Sequence, residues 1–116
     1  TRGGVGTVCN ELARDTGLGV VLEESALPIA PDVLGACELL GIDPLYVACE
    51  GRFLAVVAAG EAEAALAALR AHPLGAGAAV VGEITEQPAA TVALRTEFGG
   101  TRIVDMLVGD PLPRIC

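Results

Sequence analysis

The chain has 116 residues, with 15 acidic and 7 basic side chains, a formal net charge of -8 and 53% hydrophobic but only 3% aromatic residues. A chain of this length forms one domain that can bury a core without metal or disulfide support. The excess of acidic over basic residues, together with the lack of a basic cluster, argues against nucleic acid as a partner. No apolar run approaches the roughly 20 residues that span a bilayer, so we expect a cytoplasmic protein that does not bind membranes.

The four cysteines are widely scattered, which favours free thiols over a metal site. No C-x-x-C pair occurs and His72 is the single histidine, so the spacing of zinc ligands is absent. Cys9 and Cys37 fall on apolar helix faces, where we expect them to be buried. Cys49 precedes a predicted turn and Cys116 ends the chain. We expect no metal in this chain.

The first half of the chain predicts two helices around a strand, followed by two further strands. Residues 4–16 predict a helix whose apolar positions have helical spacing: Val5, Val8, Cys9 and Leu12. Residues 18–24 are typical of a strand. A second helix after Pro31 ends at Gly41, and its predicted apolar face consists of Val33, Leu34, Cys37 and Leu40. Residues 46–49 and 52–58 predict two strands joined by a tight turn at Glu50 and Gly51.

The second half predicts a helix and three strands. Residues 61–71 are rich in alanine, with acidic residues at the start and basic residues at the end, as a helix prefers. Strands are predicted over 78–85, 91–97 and 101–106, with the last two joined by a hairpin at Gly99 and Gly100. This order predicts an α/β (α+β layered) fold, in which a mixed sheet packs with about three helices.

The end of the chain predicts a flexible tail with a terminal thiol. Pro111 and Pro113 lack a backbone N–H, so residues 108–116 cannot continue a helix or a central strand, and we place the domain at 1–107. We expect no further chain after Cys116 to bury its thiol, and this position suits a carrier. The preceding Pro113, Arg114 and Ile115 would then contact a partner.

The segment Thr1-Arg2-Gly3-Gly4 opens the first helix. Backbone N–H groups at a helix start bind anions, and glycine lets a phosphate approach closely. A glycine pair before a helix is also typical of a simple turn. The pattern alone leaves both interpretations open.

Three segments carry a resemblance to a known family: TRGG at 1–4, ELLGIDPLYVACEG at 38–51 and DPLPRIC at 110–116. The chain resembles, from end to end, the HypE family of nickel-iron hydrogenase maturation factors, which belongs to the aminoimidazole ribonucleotide synthetase-like (PurM-type) superfamily. The resemblance implies a PurM C-terminal-domain-like fold, preceded in the family by an N-terminal domain of comparable size. The family usually has Asn before the Glu-Gly pair, where this sequence has Cys49.

The resemblance also implies a reaction. In the family, the carbamoyltransferase HypF carbamoylates the terminal cysteine, here Cys116. HypE then uses ATP to dehydrate the thiocarboxamide to thiocyanate, and the cyanide passes to iron on the HypC-HypD scaffold complex. Glu50 matches the family's Glu-Gly pair and is our candidate for the base, while the residues alone also fit a solvated turn carboxylate. The resemblance further implies that Arg2, Gly3 and Gly4 contact phosphate. ATP with Mg would be bound mostly by the N-terminal domain, so we expect no cofactor in this domain alone, which would be inactive. The full-length protein would be a homodimer.

Two rival interpretations remain open. The first is an ATP-dependent synthetase or ligase domain of the same superfamily, in which Cys116 is incidental. The second is a non-enzymatic interaction domain whose tail docks through Arg114 and Ile115.

Overall fold

The computed structural model describes residues 2–106. They form three α-helices, α1 (Gly4–Thr16), α2 (Pro31–Leu40) and α3 (Ala62–Ala71), and four strands, β1 (Gly19–Glu23), β2 (Gly82–Thr85), β3 (Val92–Arg95) and β4 (Thr101–Ile103). A 3-10 turn at Pro44–Tyr46 follows α2. The three predicted helices are confirmed to within a residue or two at their ends.

The four strands form one mixed sheet in the order β2-β1-β3-β4. β1 pairs antiparallel with β2 and parallel with β3, and β3 and β4 form an antiparallel hairpin. Gly99, with φ 85°, lies in the hairpin turn, as predicted. A mixed sheet with helices is the predicted fold class, which is therefore confirmed.

The strand sequences explain which strands are central. β1 carries the apolar run Val20, Val21 and Leu22, and all three side chains are buried. All of β3 except Arg95 is buried as well. Strands that are covered on both faces need such continuous apolar runs. The edge strands β2 and β4 are largely exposed.

Helix α1 supplies the helical side of the core. Gly17 ends it in the left-handed conformation, and its N–H donates to the carbonyl of Ala13. Cys9 and Ala13 are buried against the sheet, as one apolar face of a helix requires. The core cluster contains residues from α1, β1, β3, the Pro44–Tyr46 turn and the end of the hairpin: Cys9, Ala13, Val20, Leu22, Leu45, Val92, Leu94 and Val104.

The strands predicted over 46–49 and 52–58 are wrong. Residues 47–58 contain no strand, although the predicted turn is present at Glu50 and Gly51. The apolar side chains after the turn are exposed, with Phe53 74% and Val56 62% accessible. A strand forms only where another strand completes its hydrogen bonds, and local preference does not supply that partner. For the same reason, β2 and β4 are shorter than predicted.

The predicted apolar face of α2 is also partly wrong. Leu34 is 41% and Leu40 70% exposed, and Cys37 is the only buried residue of the helix. The helix contacts the Pro44–Tyr46 turn rather than lying along the sheet. A narrow contact of this kind buries one position instead of a whole face.

We predict that core and surface leucines differ sharply in their effect on stability. Leu94→Ala removes a side chain that is 1% exposed and should lower the free energy of unfolding by about 2–5 kcal/mol. The control Leu39→Ala, at a helical position that is 89% exposed, should change it by less than about 0.5 kcal/mol. Urea unfolding of the purified chain measures both values. Equal losses would contradict the observed core.

Candidate functional site

The start of α1 combines two glycines with a helix end that has no side-chain cap. Gly3 and Gly4 have left-handed backbones, with φ of 80° and 67°. No side chain caps the helix, and its first turn contains no acidic residue. The first N–H groups of a helix have no partner inside the helix, and the positive end of the helix dipole attracts negative charge. These features are typical of helix starts that bind anions, and a phosphate contact here stays a prediction.

The glycines of this helix start also pack directly against a distant part of the chain. A Cβ on Gly4 would lie 2.5 Å from the carbonyl oxygen of Leu45 and 2.6 Å from that of Val47. A Cβ on Gly6 would lie 2.9 Å from Cε1 of Tyr46. Only glycine permits this approach. One side of the helix start is thus closed by the segment that leads to the turn at Glu50.

Four of the predicted site residues lie within the described part of the chain: Arg2, Gly3, Gly4 and Glu50. Arg2 and Glu50 are exposed, and the Gly51 φ of 78° fits the predicted turn. The helix start and the chain that leads to Glu50 lie in direct contact through Gly4. Cys49, which replaces the family Asn, is partly buried. The remaining predicted site residues and the predicted tail lie outside the described residues: Pro113, Arg114, Ile115 and Cys116.

Sequence reasoning missed two polar side chains beside this contact. Nδ2 of Asn10 donates to the carbonyl oxygens of Gly6 and Val104, at 2.8 Å each. The Tyr46 hydroxyl donates to the carbonyl oxygen of Asp105 at 2.6 Å. The sequence does carry weak signals for both. Asn is a poor residue for a helix interior, and Tyr46 is the only tyrosine in the chain.

Asp43 and Arg102 form an ion pair beside Tyr46. Oδ1 of Asp43 accepts from the N–H of Leu45 at 3.0 Å, and Oδ2 accepts from Arg102 at 2.8 Å. The side chains are 27% and 43% exposed, so the pair contributes little stability by itself. Burial raises the pKa of Tyr46, the charges of Asp43 and Asp105 raise it further, and Arg102 opposes them. The phenol therefore remains a hydrogen-bond donor at neutral pH.

Residues 2–106 contain no helix that is long and apolar enough to cross a membrane. The same residues contain no group of three or more His, Cys, Asp or Glu side chains that could hold a metal ion.

Comparison with known proteins identifies the family. Residues 1–95 match the family described as AIR synthase related protein, C-terminal domain. The chain belongs to this family. Its similarity to the more specific HypE proteins extends further, over all 116 residues.

Two relatives illustrate this similarity. The carbamoyl dehydratase HypE of Rhodobacter capsulatus is 59% identical over the whole chain, which covers 34% of that protein. The carbamoyl dehydratase HypE of Cupriavidus necator is 54% identical, and the chain covers 33% of it. The chain thus spans about a third of the length of these curated relatives. The resemblance to the HypE family is confirmed.

Solved structures agree with this result. A crystal structure of the hydrogenase maturation protein HypE matches the whole chain with a TM-score of 0.93 and 40% identity, over 38% of its own chain. HypE in complex with ATP matches 96% of the chain, with a TM-score of 0.89 and 38% identity over 35% of its own chain. A HypE-HypF complex matches 90% of the chain, with a TM-score of 0.85 and 39% identity over 34% of its own chain.

Because Gly4 lies so close to two carbonyl oxygens, adding one methyl group there should strongly lower the free energy of unfolding. Gly4→Ala places a Cβ against two carbonyl oxygens in a left-handed backbone and should lower the free energy of unfolding by about 2 kcal/mol or more. The control Gly35→Ala lies in α2 with nothing within 4 Å of the new Cβ, and it should stabilise the chain by up to about 1 kcal/mol. Thermal and urea unfolding test the contrast, and a neutral Gly4→Ala would disprove this packing.

The thiols should differ in reactivity. Burial raises the pKa of the Cys9 thiol from 9.0 to about 11, so at pH 9 Cys9 stays protonated and unreactive. Cys37 is buried, while Cys49 is partly exposed. Brief treatment with iodoacetamide followed by peptide mapping should label Cys49 at least about tenfold faster than Cys9 or Cys37. Cys116 is predicted to react fastest. Labelling in urea is the control, and preferential native labelling of Cys9 would contradict the structure.

Proposed function

We propose that this chain is the C-terminal domain of an ATP-dependent carbamoyl dehydratase, which converts a carbamoylated Cys116 to thiocyanate for the cyanide ligands of nickel-iron hydrogenase. The observation that carries the proposal is the 59% identity, over all 116 residues, to a protein named carbamoyl dehydratase HypE. The isolated domain is inactive, because it spans only about a third of such a protein.

The chemistry needs a leaving group and a base. ATP supplies a phosphoryl group that turns the thiocarboxamide oxygen into a phosphate leaving group. When the oxygen is phosphorylated, ADP leaves and the amide nitrogen loses one proton as a C=N bond forms. The nitrogen loses its second proton as the C–O bond breaks and the C≡N bond forms, and the sulfur stays bonded to carbon throughout. Glu50, exposed in its turn, is our candidate to accept an N–H proton. The oxygen leaves as inorganic phosphate.

The described residues fit a nucleotide phosphate at one place. The start of α1 has no capping side chain and no acidic residue in its first turn, so backbone N–H groups at Gly3 and Gly4 would hold a phosphate, with Arg2 adding a positive charge. The solved structure of a HypE in complex with ATP supports nucleotide binding by the full-length protein. Mg²⁺ and most adenine contacts would come from the N-terminal part of the full-length protein.

The partners follow from the same proposal. The solved HypE-HypF complex supports a carbamoyltransferase as the enzyme that loads Cys116. Pro113, Arg114 and Ile115 would enter its active site together with the thiol, on a tail that begins after residue 107. The product would pass to a HypC-HypD scaffold. We place the protein in the cytoplasm as a homodimer.

The proposal predicts that two variants stop at different stages. In the full-length protein, incubated with its carbamoyltransferase, carbamoyl phosphate and ATP, Cys116→Ala should gain no carbamoyl group. Glu50→Gln should accumulate carbamoylated protein and form thiocyanate at least about 100-fold more slowly, because only dehydration needs the base. Mass spectrometry of the C-terminal peptide distinguishes the species.

The control Glu63→Gln, on the exposed surface of α3, should behave like the parent protein. Normal thiocyanate yield in Glu50→Gln would refute its role as a base. A full ATP-dependent activity in Cys116→Ala would favour the rival synthetase interpretation. Partner binding that depends on Arg114 and Ile115 but survives Cys116→Ser, in a protein that is never carbamoylated, would favour a docking domain.

A further inference from the structure

The segment that leads to Glu50 is anchored from the inside by packing. Leu45 is 3% exposed and belongs to the core cluster. Its carbonyl and that of Val47 lie against Gly4. Apolar packing is not directional, so these contacts fix where the segment lies, while its orientation depends on the polar bonds around it.

The outside of the same segment is held by the carboxylate of Asp43. Oδ1 accepts from the N–H of Leu45 at 3.0 Å and so caps the Pro44–Tyr46 turn. Oδ2 accepts from Arg102 of β4 at 2.8 Å. Hydrogen bonds are directional, and those between charged groups are stronger than neutral ones. One side chain that is 27% exposed therefore joins the start of the turn to the edge of the sheet.

Arg102 reaches Asp43 because of its place in the sheet. It lies opposite Leu94 in the register of β3 and β4, and opposite residues of paired strands share one face. Leu94 belongs to the core cluster, on the face that α1 covers. Arg102 therefore emerges on the same face as the turn. Arg95, the next residue after Leu94, points to the other face of the sheet.

The direction of the segment decides where Glu50 lies. Glu50 follows Val47 by three residues, so their Cα atoms are at most about 11 Å apart. A rotation of the segment by about 10° would move Glu50 by up to about 2 Å at that distance. A base acts only within hydrogen-bond reach of the proton that it accepts, and a misplacement of about 1 Å can slow a reaction about a hundredfold.

We propose that Asp43 and Arg102 are positioning residues for Glu50. Their ion pair sets the direction in which the chain leaves the Pro44–Tyr46 turn, and so it holds Glu50 in its productive place. The inference rests on the proposed role of Glu50 as the base. Because the pair is partly exposed, it shifts a population by at most about fivefold, and the core still holds the turn when the pair is broken.

The test uses the full-length protein carrying Arg102→Met, which breaks the pair and leaves the cap on Leu45 in place. Single-turnover dehydration of the carbamoylated protein at saturating ATP should slow about fivefold. Carbamoylation and the ATP concentration that gives half of the maximal rate should stay within about twofold, because neither depends on the base. Arg102→Lys keeps a charged donor and should restore at least about half of the parent rate.

Arg95→Met is the matched control. Arg95 also lies in the hairpin and forms an ion pair, with Glu23 at 2.6 Å, and its side chain is 52% exposed, against 43% for Arg102. The variant makes the same change in charge on the opposite face of the sheet. It should leave the dehydration rate unchanged.

A double variant tests whether the pair acts through Glu50. In the Glu50→Gln background, Arg102→Met should cause no further slowing, because the group that it positions is already lost. Slowing that adds to that of Glu50→Gln would show that the pair acts elsewhere, and it would overturn the inference.

Hydrogen exchange separates this inference from the proposed function, because it needs no turnover. Backbone amides of residues 47–51 should exchange at least about threefold faster in Arg102→Met than in the parent or in Arg95→Met. Normal dehydration by Glu50→Gln would refute the base, and exchange would still decide whether the pair orients the turn. Slow dehydration by Glu50→Gln together with a parent rate in Arg102→Met would overturn the positioning role alone.

Unchanged exchange, or equal slowing by Arg95→Met, would also overturn the inference. Should Arg102→Met fold poorly, Asp43→Asn breaks the same ion pair, keeps an oxygen that can cap Leu45, and carries the same expectations.

Discussion

The close approach between the glycine start of α1 and the carbonyls of Leu45 and Val47 is the constraint on which the rest of this structure depends. It sets how closely α1 packs against the Pro44–Tyr46 turn, and it places Tyr46 against Gly6. Any side chain at Gly4 would push the helix away from the Pro44–Tyr46 turn. Because Leu45 is 3% exposed and belongs to the same core cluster as Cys9, such a shift would also open the core. Packing and the candidate site thus share one contact.

The polar contacts around this point fix geometry rather than contribute much stability. The ion pair of Asp43 and Arg102 and the hydrogen bonds of Asn10 and Tyr46 all connect the end of the hairpin to α1 or to the Pro44–Tyr46 turn. Each contributes little energy alone, since exposed pairs and single hydrogen bonds are worth about 1 kcal/mol or less. Their joint effect is geometric, because they hold the end of the hairpin against α1 and the Pro44–Tyr46 turn.

Local patterns predicted all three helices and four of the six proposed strands, and the two wrong strands lie over 46–58. The helical spacing in α1 and the alanine-rich sequence of α3 determine helices within a short stretch of chain, because their hydrogen bonds are internal. Residues 52–58 have a strong strand preference yet remain exposed and without a strand. The described residues supply no strand partner for this segment, and local preference does not create one.

For the candidate site, the sequence by itself determined the residue types and their family: the glycine start, the Glu50-Gly51 turn and the terminal Cys116. It also determined the mixed helix and sheet composition, since periodicity is local. Only the tertiary structure decided that the glycine start touches the segment leading to Glu50, and that Asn10 and Tyr46 hold Val104 and Asp105. These contacts join residues 59 and 94 positions apart. No local pattern encodes them, because they arise only when α1 has packed on the sheet and brought distant backbone carbonyls within reach.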